Sequence, residues 1–250
     1  MANKRNILFF IGILFVVSSI FFVSALTTIS NCVEINESGT YTMNQSINQS
    51  ENFDCIKIIA ANVTLDCNGY NITSNLAVSG VFSNQTNTTV KNCYVDMGSG
   101  SGGYGVKFVS SNNLLIQNVT TNANYYGIYL LSSSNNTLTN ITSNSNVYGI
   151  VLSISSNNTL TNITSNSNSY YGIFLSFSSN NNILTNITSN SNGQYGIALN
   201  SNSNRNTFYD INLWNCSSAG TFSCIYILET DYNIFDGGFI NKSSKLKNTK

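Results

Sequence analysis

The sequence predicts an all-β fold: a right-handed, single-stranded parallel β-helix, or β-solenoid, of about seven coils with 22–26 residues each. Its first indication is a five-residue unit, Tyr-Gly followed by three mostly apolar positions, that recurs from Tyr104, Tyr126, Tyr148, Tyr171 and Tyr195. The glycines of these units are 22, 22, 23 and 24 residues apart. The residues between the units are mainly Ser, Asn and Thr, which favour turns over helices. Such units at a fixed period indicate stacked coils, with equivalent strands paired at about 4.8 Å and right-handed crossovers preferred.

Alternation along each unit predicts which side chains face the core. In the second unit we expect Tyr126, Ile128 and Leu130 to face inward, so that Gly127 and Tyr129 face outward. Glycine lets another molecule approach the backbone, and aromatic faces suit stacking on sugar rings. The outward columns therefore form a candidate ligand-binding surface made of Gly127, Gly149, Gly172, Tyr129, Val151 and Phe174. The alternative is that Gly eases the packing of the neighbouring Tyr residues, since exposed apolar residues are common on protein surfaces.

Composition excludes several classes of partner. The 250 residues are 42% hydrophobic and 8% charged, and the formal net charge is zero. Neither nucleic acid nor an anionic membrane surface is indicated as a partner by this balance. The chain has no His, and its cysteines lack the spacing of a zinc frame, so we predict no metal site and no cofactor.

The amino terminus has the order of a secretory signal. Basic residues precede an apolar run, and the small residues before Leu26 predict cleavage after Ala25, so residues 1–25 form a signal peptide or a membrane anchor. Residues 7–25 are long enough to span a bilayer if they are not cleaved. In either case we expect a secreted or cell-surface protein, with membrane contact only through this segment.

Three further segments follow. Residues 26–54 lack the repeat and are a candidate cap, because an open solenoid end exposes unpaired strand edges. Residues 55–240 carry the β-helix. Residues 241–250 form a polar, basic tail with four lysines.

The six cysteines lie beyond the predicted cleavage point, and their even number suits disulfides in an oxidising compartment. Cys67 and Cys93 are 26 residues apart, about one coil, which makes them a plausible stacked pair. Cys216 and Cys224 would then close a short loop, leaving Cys32 with Cys55. The open alternative is that some cysteines are free buried thiols.

Asparagine recurs at one position of successive coils and predicts a structural ladder: Asn92, Asn118, Asn140, Asn162 and Asn186, with Asp210 and Asp236 continuing the series. Asn tolerates the left-handed conformation of a tight bend, and stacked amides can hydrogen-bond along the axis. We expect these ladder residues to be buried and their sequons unmodified. Better glycosylation acceptors lie in turns or in the tail: Asn84, Asn87, Asn135, Asn157 and Asn241.

The repeat YGIxLxxSxxNTLTNIT and the segment CIKIIAANVTLDCNGYNIT resemble NosD-like proteins and the broader carbohydrate-binding and sugar-hydrolase β-helix proteins. The resemblance covers roughly residues 55–240 and implies a right-handed β-helix outside the cytoplasm. NosD-like membership implies a role in copper-site maturation. This chain has no His to supply imidazole and only three Met to supply thioether ligands, which argues against a copper role.

The distribution of charged residues along the chain limits the catalysis that it can perform. No charged residue lies between Lys107 and Arg205, so the regular coils lack groups for acid–base catalysis. We therefore predict a non-catalytic surface protein that binds glycan or another surface partner, or that serves as a structural coat element. The alternative is a polysaccharide-active hydrolase or lyase whose candidate residues lie near the C terminus: Asp210, Asp231, Asp236 and Arg205. Hydrolysis would need two carboxyl groups about 5 to 9.5 Å apart.

Overall fold

Parallel β-strands make up all the regular structure of the described residues, which are 26–98, 102–215, 224–240 and 247–249 of this computed structural model. The first ten strands are β1 (Leu26–Ile29), β2 (Val33–Ile35), β3 (Gly39–Met43), β4 (Ile47–Gln49), β5 (Ile56–Ile58), β6 (Val63–Asp66), β7 (Asn71–Ser74), β8 (Ser79–Ser83), β9 (Thr89–Asp96) and β10 (Tyr104–Val109). The next twelve are β11 (Leu115–Asn122), β12 (Tyr126–Leu131), β13 (Thr137–Asn144), β14 (Tyr148–Ser153), β15 (Thr159–Thr164), β16 (Tyr171–Ser176), β17 (Ile183–Thr188), β18 (Tyr195–Leu199), β19 (Thr207–Leu213), β20 (Ile225–Leu228), β21 (Ile234–Ile240) and β22 (Lys247–Thr249).

The strands form two sheets that the chain visits in turn. The first sheet has the order β1-β3-β6-β9-β11-β13-β15-β17-β19-β21, with β4 paired to β7 and β7 to β9. The second sheet has the order β2-β5-β8-β10-β12-β14-β16-β18-β20-β22. From β8 onward the chain therefore gives one strand to each sheet in every coil, and the strands stack as a parallel β-solenoid of about eight turns.

Residues 26–54, the predicted cap, also enter these sheets. Strands β1 and β2 lie at the sheet edges, and β3 pairs in parallel with β6. The segment therefore adds a turn to the about seven coils expected from the repeat. The described residues include no helix with the length and apolarity needed to span a bilayer. The predicted signal peptide or anchor lies outside the described residues.

Apolar columns fill the interior. Two columns from the second sheet are fully buried and repeat once per coil: Ile128, Ile150, Ile173 and Ile197, with Leu130, Leu152, Leu175 and Leu199. Burying one such side chain contributes about 1.5–3 kcal/mol, so the stack depends on the regularity of the repeat. Tyr126, which alternation predicted to face inward, is instead half-exposed. Gly127 and Ile128 are both buried, so the alternation of inward and outward side chains is interrupted at this point of the strand.

The asparagine ladder forms bends within the first sheet. Each member has φ between 52° and 56°, and each Nδ2 donates to the acceptor one coil earlier at 2.8–3.1 Å, from Asn186 back through Asn162, Asn140, Asn118 and Asn92 to Asp66. The expectation that these residues are buried is wrong for Asn118, Asn140, Asn162 and Asn186, which are exposed. The positive φ places them on a corner that points away from the core. Asp210 keeps the bend at φ 51°, but Gly237, not Asp236, lies opposite it.

Disulfides join the first coils. Cys32 pairs with Cys55 and Cys67 with Cys93, at Cα–Cα distances of 4.4 and 4.8 Å, as the one-coil spacing predicts. Cys224 is also disulfide-bonded. Its predicted partner, Cys216, lies outside the described residues. Covalent links at this end stabilise the coils that have fewer neighbours to pack against.

Candidate functional site

A row of tyrosines crosses the outer face of the second sheet, one ring per coil. We call it the tyrosine stripe: Tyr104, Tyr126, Tyr148, Tyr171, Tyr195 and Tyr226. Neighbouring ring centroids lie 4.7–5.5 Å apart. Because each coil adds about 4.8 Å, the stripe is about 24 Å long.

The angles between neighbouring ring planes differ from coil to coil. Tyr104 and Tyr126 are stacked with 15° between their planes. Tyr129 is tilted by 32° to Tyr126, and Phe174 makes an angle of 65° with Tyr171. Tyr129 and Phe174 are partly exposed and add aromatic surface beside the stripe. A ligand along the stripe meets both stacking surfaces and hydrogen-bonding groups.

A single cation adjoins the amino-terminal end of the stripe. Lys107 Nζ lies 4.3 Å from the ring centroid of Tyr104 and 6.0 Å from that of Phe82. The side-chain ion pairs in the described part of the chain are Lys57 with Glu34 and Lys91 with Asp66, so Lys107 contacts the rings and not a carboxylate. Cation–π attraction holds its ammonium against the aromatic surface.

The glycine column is not the open groove that the sequence suggested. Gly127, Gly149 and Gly172 are buried, and a Cβ on Gly149 would collide with Ser165 Oγ and with the carbonyl oxygen of Gly172. The reason lies inside the coil, where Ser165 Oγ donates to the Gly172 carbonyl at 2.7 Å. Glycine is needed for this internal packing against serine and backbone groups, which differs from both roles that the sequence analysis considered.

Val151 is also buried, at 3% exposure, because Tyr129 and Phe174 occupy the positions directly beside it in the sheet. Of the six residues predicted to bind a ligand, the structure therefore places Tyr129 and Phe174 at the accessible surface. Sequence reasoning did not assign the tyrosines of the repeat to that surface. Their recurrence at the first position of every unit was the available signal.

Burial raises the pKa of Tyr104, Tyr126, Tyr148, Tyr171 and Tyr195 above the ordinary value of 10.0, most strongly for Tyr126, and neighbouring phenols add to the effect. The neutral phenol is therefore favoured in the folded state, and the hydroxyls remain donors through the physiological range. The described structure gives Tyr104, Tyr126, Tyr148 and Tyr171 no hydrogen-bond partner for these hydroxyls.

We expect an alkaline titration to reveal the stripe. Since the folded pKa values are raised, the contribution of these phenols to stability is fully present below about pH 10 and is lost as the pH rises through the folded values. Near-ultraviolet absorbance should show phenolate forming at higher pH in the folded protein than in the urea-unfolded protein. Coincident titration curves for the two states would contradict this expectation.

The candidate catalytic residues at the C-terminal end, Arg205, Asp210, Asp231 and Asp236, are all exposed. Arg205 lies over the ring of Tyr232 at 5.5 Å, and its backbone N–H donates to the Asp231 carbonyl oxygen at 3.1 Å. Among the described residues, no ion pair links its guanidinium to a carboxylate. Asp236 pairs with Tyr209 in the register of the sheet, one position away from the bend at Asp210. The stacked carboxylate pair that the sequence considered is therefore not aligned at one position of the coil.

Other candidate positions remain separate from the stripe. Three or more Cys, Asp or Glu side chains do not come together as a metal-binding group anywhere in the described ranges.

Asn84, Asn87, Asn135 and Asn157 are exposed, whereas Asn241 lies outside the described residues. Their use as glycosylation sites stays a prediction. A concavity of about 320 Å³ beside β1 and β2 is lined by residues 27–33 and Tyr41.

Buried polar ladders were missed by the sequence reasoning. Asn168 is 1% exposed; its Oδ1 accepts the Asn146 backbone N–H at 2.9 Å, and its Nδ2 donates to Asn192 Oδ1 at 3.0 Å. A second buried column consists of Asn136, Asn158, Asn182 and Asn206. The regular spacing of Asn in the turns was a signal for both. These amides satisfy turn backbone groups that water cannot reach.

Comparisons with known proteins find the same β-helix architecture. The family model described as "Right handed beta helix region" matches residues 79–240. The enzymatically active domain of bacteriophage CBA120 tailspike protein 2 has a TM-score of 0.70 at 15% identity, covering 86% of this chain and 38% of its own. The A-module of the Azotobacter vinelandii mannuronan C-5 epimerase AlgE4 has a TM-score of 0.53 at 12% identity, covering 90% of each chain. The T265N mutant of the periplasmic alginate epimerase AlgG has a TM-score of 0.56 at 12% identity, covering 84% of this chain and 60% of its own.

These likenesses confirm the predicted right-handed parallel β-helix. At 12–15% identity the solved structures share the fold alone, and this chain spans less than half of the tailspike. No curated protein matches the sequence. The narrower NosD-like resemblance stays a prediction.

Proposed function

This chain belongs to the family of right-handed β-helix region proteins, and we propose that it is a non-catalytic, extracytoplasmic member that binds a polysaccharide along the tyrosine stripe. The observation that carries the proposal is the stripe itself, an uninterrupted aromatic surface about 24 Å long on a rigid sheet. A polymer lying parallel to the solenoid axis would meet one ring in every coil.

The chemistry of the stripe suits a sugar polymer. Saccharide rings combine apolar C–H faces with hydroxyl groups, and the stripe offers aromatic faces at Tyr129 and Phe174 beside neutral phenolic hydroxyls. The raised phenol pKa values keep those hydroxyls protonated as hydrogen-bond donors. Because the stripe is built on strands paired on both sides, little conformational entropy is lost when a ligand binds.

Two further observations favour this assignment. The names of AlgE4 and AlgG give mannuronan and alginate, both polysaccharides, as the molecules on which those epimerases act. These names support a polysaccharide as the class of ligand, without indicating which one. The disulfides Cys32–Cys55 and Cys67–Cys93 favour an oxidising compartment, where extracellular polysaccharides are found.

A binding measurement on a polysaccharide panel tests the proposal. The Tyr129→Ala/Phe174→Ala double variant removes the two exposed ring faces, and we expect its affinity for the bound glycan to fall at least about tenfold, or 1.4 kcal/mol. Tyr209→Ala is the matched control, because Tyr209 is an exposed aromatic residue on the first sheet. Unchanged affinity in the double variant, with both proteins folded, would exclude the rings of Tyr129 and Phe174 from the binding surface and so contradict the proposal, which uses them as its stacking faces.

The alternative is a polysaccharide-active enzyme, which is favoured by the epimerase activity named for two proteins of similar fold. The same panel should be assayed for new chain ends and for altered sugars. Turnover that Asp210→Asn or Asp236→Asn abolishes would replace the binding proposal by the enzymatic one. Neither binding nor turnover on any glycan would leave a structural coat element as the remaining function.

A further inference from the structure

The second sheet carries almost no charge along the tyrosine stripe. Register places seven positions in one column of this sheet, in the order Lys107, Tyr129, Val151, Phe174, Ala198, Tyr226 and Lys247. Lysine stands only at the two ends of the column, so the two lysine backbones are about 29 Å apart. No charged residue lies between Lys107 and Arg205, so the coils in between carry no charge on any face.

The ammonium of Lys107 does not compensate for this lack of charge. Its Nζ lies against the ring of Tyr104, at one end of the stripe. An ion pair formed at such an exposed position contributes little, and salt weakens it further. A polymer with an acidic group on every sugar would therefore place most of its charges where the protein has no cation.

The aromatic rings of the stripe disfavour a negative charge. The face of an aromatic ring carries the negative part of its quadrupole, which attracts the weakly positive C–H groups of a sugar and repels a carboxylate. A carboxylate that leaves water for this surface also loses hydration without gaining an ionic partner. Phenolic hydroxyls donate to sugar hydroxyl groups as well as to carboxylates, so the choice between the two depends on charge.

The phenols of the stripe report the same preference. Loss of the phenol proton places a negative charge on this surface, and the pKa values of Tyr126, Tyr148 and Tyr171 are raised, first by burial and then by neighbouring phenols. A raised phenol pKa means that the anion is less favourable here than in water. A carboxylate of a bound polymer would enter the same surroundings.

We propose that the polymer recognised along the tyrosine stripe is an uncharged polysaccharide, and that the stripe selects against polymers with a carboxylate, sulfate or phosphate on each repeat. This inference rests on the proposed function of the stripe and adds the charge class of its ligand. Affinity for the neutral polymer should be nearly independent of salt, because no ion pair is formed. Alginate, the polymer named for AlgG, should be a weak ligand because each of its sugars carries a carboxylate.

Two derivatives of one polymer test the inference on the full chain. The tightest ligand is first selected from a panel of neutral and acidic polysaccharides, and we expect it to be neutral. It is then carboxymethylated or hydroxyethylated to the same degree, which gives derivatives of similar size that differ in charge. At low salt the hydroxyethyl derivative should bind at least about tenfold more tightly than the carboxymethyl derivative. The difference should shrink at about 0.5 M NaCl, where charges are screened.

Tyr129→Lys should shift this preference towards the acidic derivative. Lys107 occupies the equivalent position one coil earlier, so lysine fits there. The ratio of the affinity for the carboxymethyl derivative to that for the hydroxyethyl derivative should rise at least about tenfold over the wild type. Tyr209→Lys is the matched control, because it adds the same charge to the exposed surface of the first sheet, and it should leave the ratio unchanged. If circular dichroism shows Tyr129→Lys unfolded, Phe174→Lys replaces it.

The outcomes separate this inference from the proposed function. An acidic polymer as the tightest ligand, or equal affinity for the two derivatives, would overturn the inference and leave the stripe as a polysaccharide-binding surface. An unchanged ratio in the folded lysine variant, or an equal rise in the Tyr209→Lys control, would also overturn it. A chain that binds no polymer of either charge class would overturn the proposed function and the inference together.

Discussion

Gly149→Val is expected to lower the free energy of unfolding by about 3 kcal/mol or more. The added Cβ would collide with Ser165 Oγ and with the Gly172 carbonyl oxygen, and it would lie 2.8 Å from Asn168 Nδ2. The carbonyl belongs to the backbone of the next coil and accepts a hydrogen bond from Ser165, so it cannot move without breaking the stack. Urea unfolding monitored by circular dichroism would measure the loss.

Thr164→Ala is the control for this variant. Thr164 is adjacent to Ser165, but its side chain is half-exposed on the outer surface and has no hydrogen-bond partner in the described structure. We expect a change within about 0.5 kcal/mol. If Gly149→Val unfolded with the same free energy as the control, the result would contradict the close packing between the glycine column and the serines.

Asn168→Leu is expected to cost about 3 kcal/mol, although Leu is similar in size and more apolar. The substitution removes the acceptor of the Asn146 N–H and the donor to the Ser143 carbonyl oxygen, at 2.9 and 3.1 Å. The Asn146 N–H would remain buried without an acceptor, and the Ser143 carbonyl oxygen would keep only the bond from Ser165 Oγ at 3.2 Å, in an interior that water does not reach. Thermal unfolding would show the loss as a lower Tm.

Asn162→Gly is the matched comparison from the exposed ladder. Glycine keeps the positive φ of the bend, and the neighbouring amides Asn140 and Asn186 can bond to water instead. We expect a cost of about 1 kcal/mol. Equal losses at Asn162 and Asn168 would mean that the two ladders contribute alike and that burial does not set their importance.

The repeat explains why so much of the fold was predictable. A strand unit that recurs every 22–24 residues can bury its apolar side only by stacking on the next unit, so period and alternation lead to a parallel solenoid. The bends at Asn118 and Asn140 and the one-coil pairing of Cys67 with Cys93 follow from the same period. Each depends on spacing along the chain, which the sequence records directly.

The candidate site was predicted less completely. Simple alternation placed Tyr126 in the core and Gly127 at the surface, and the structure reverses both. Alternation assumes a regular strand, whereas Gly127 and Ile128 are both buried and a Cβ on Gly127 would collide with Ser143 Oγ. Tyr129 and Phe174 were placed at the surface because they lie beyond this irregularity, where regular alternation resumes.

The sequence by itself thus determined the coil period, the stacked columns and the bend asparagines, and it made Cys67 and Cys93 a plausible pair, because each is a consequence of spacing. Only the tertiary structure decided that the repeat glycines and Val151 are buried and that the tyrosines form one outer stripe. Exposure depends on what each side chain meets in neighbouring coils, and a one-dimensional pattern does not contain those contacts.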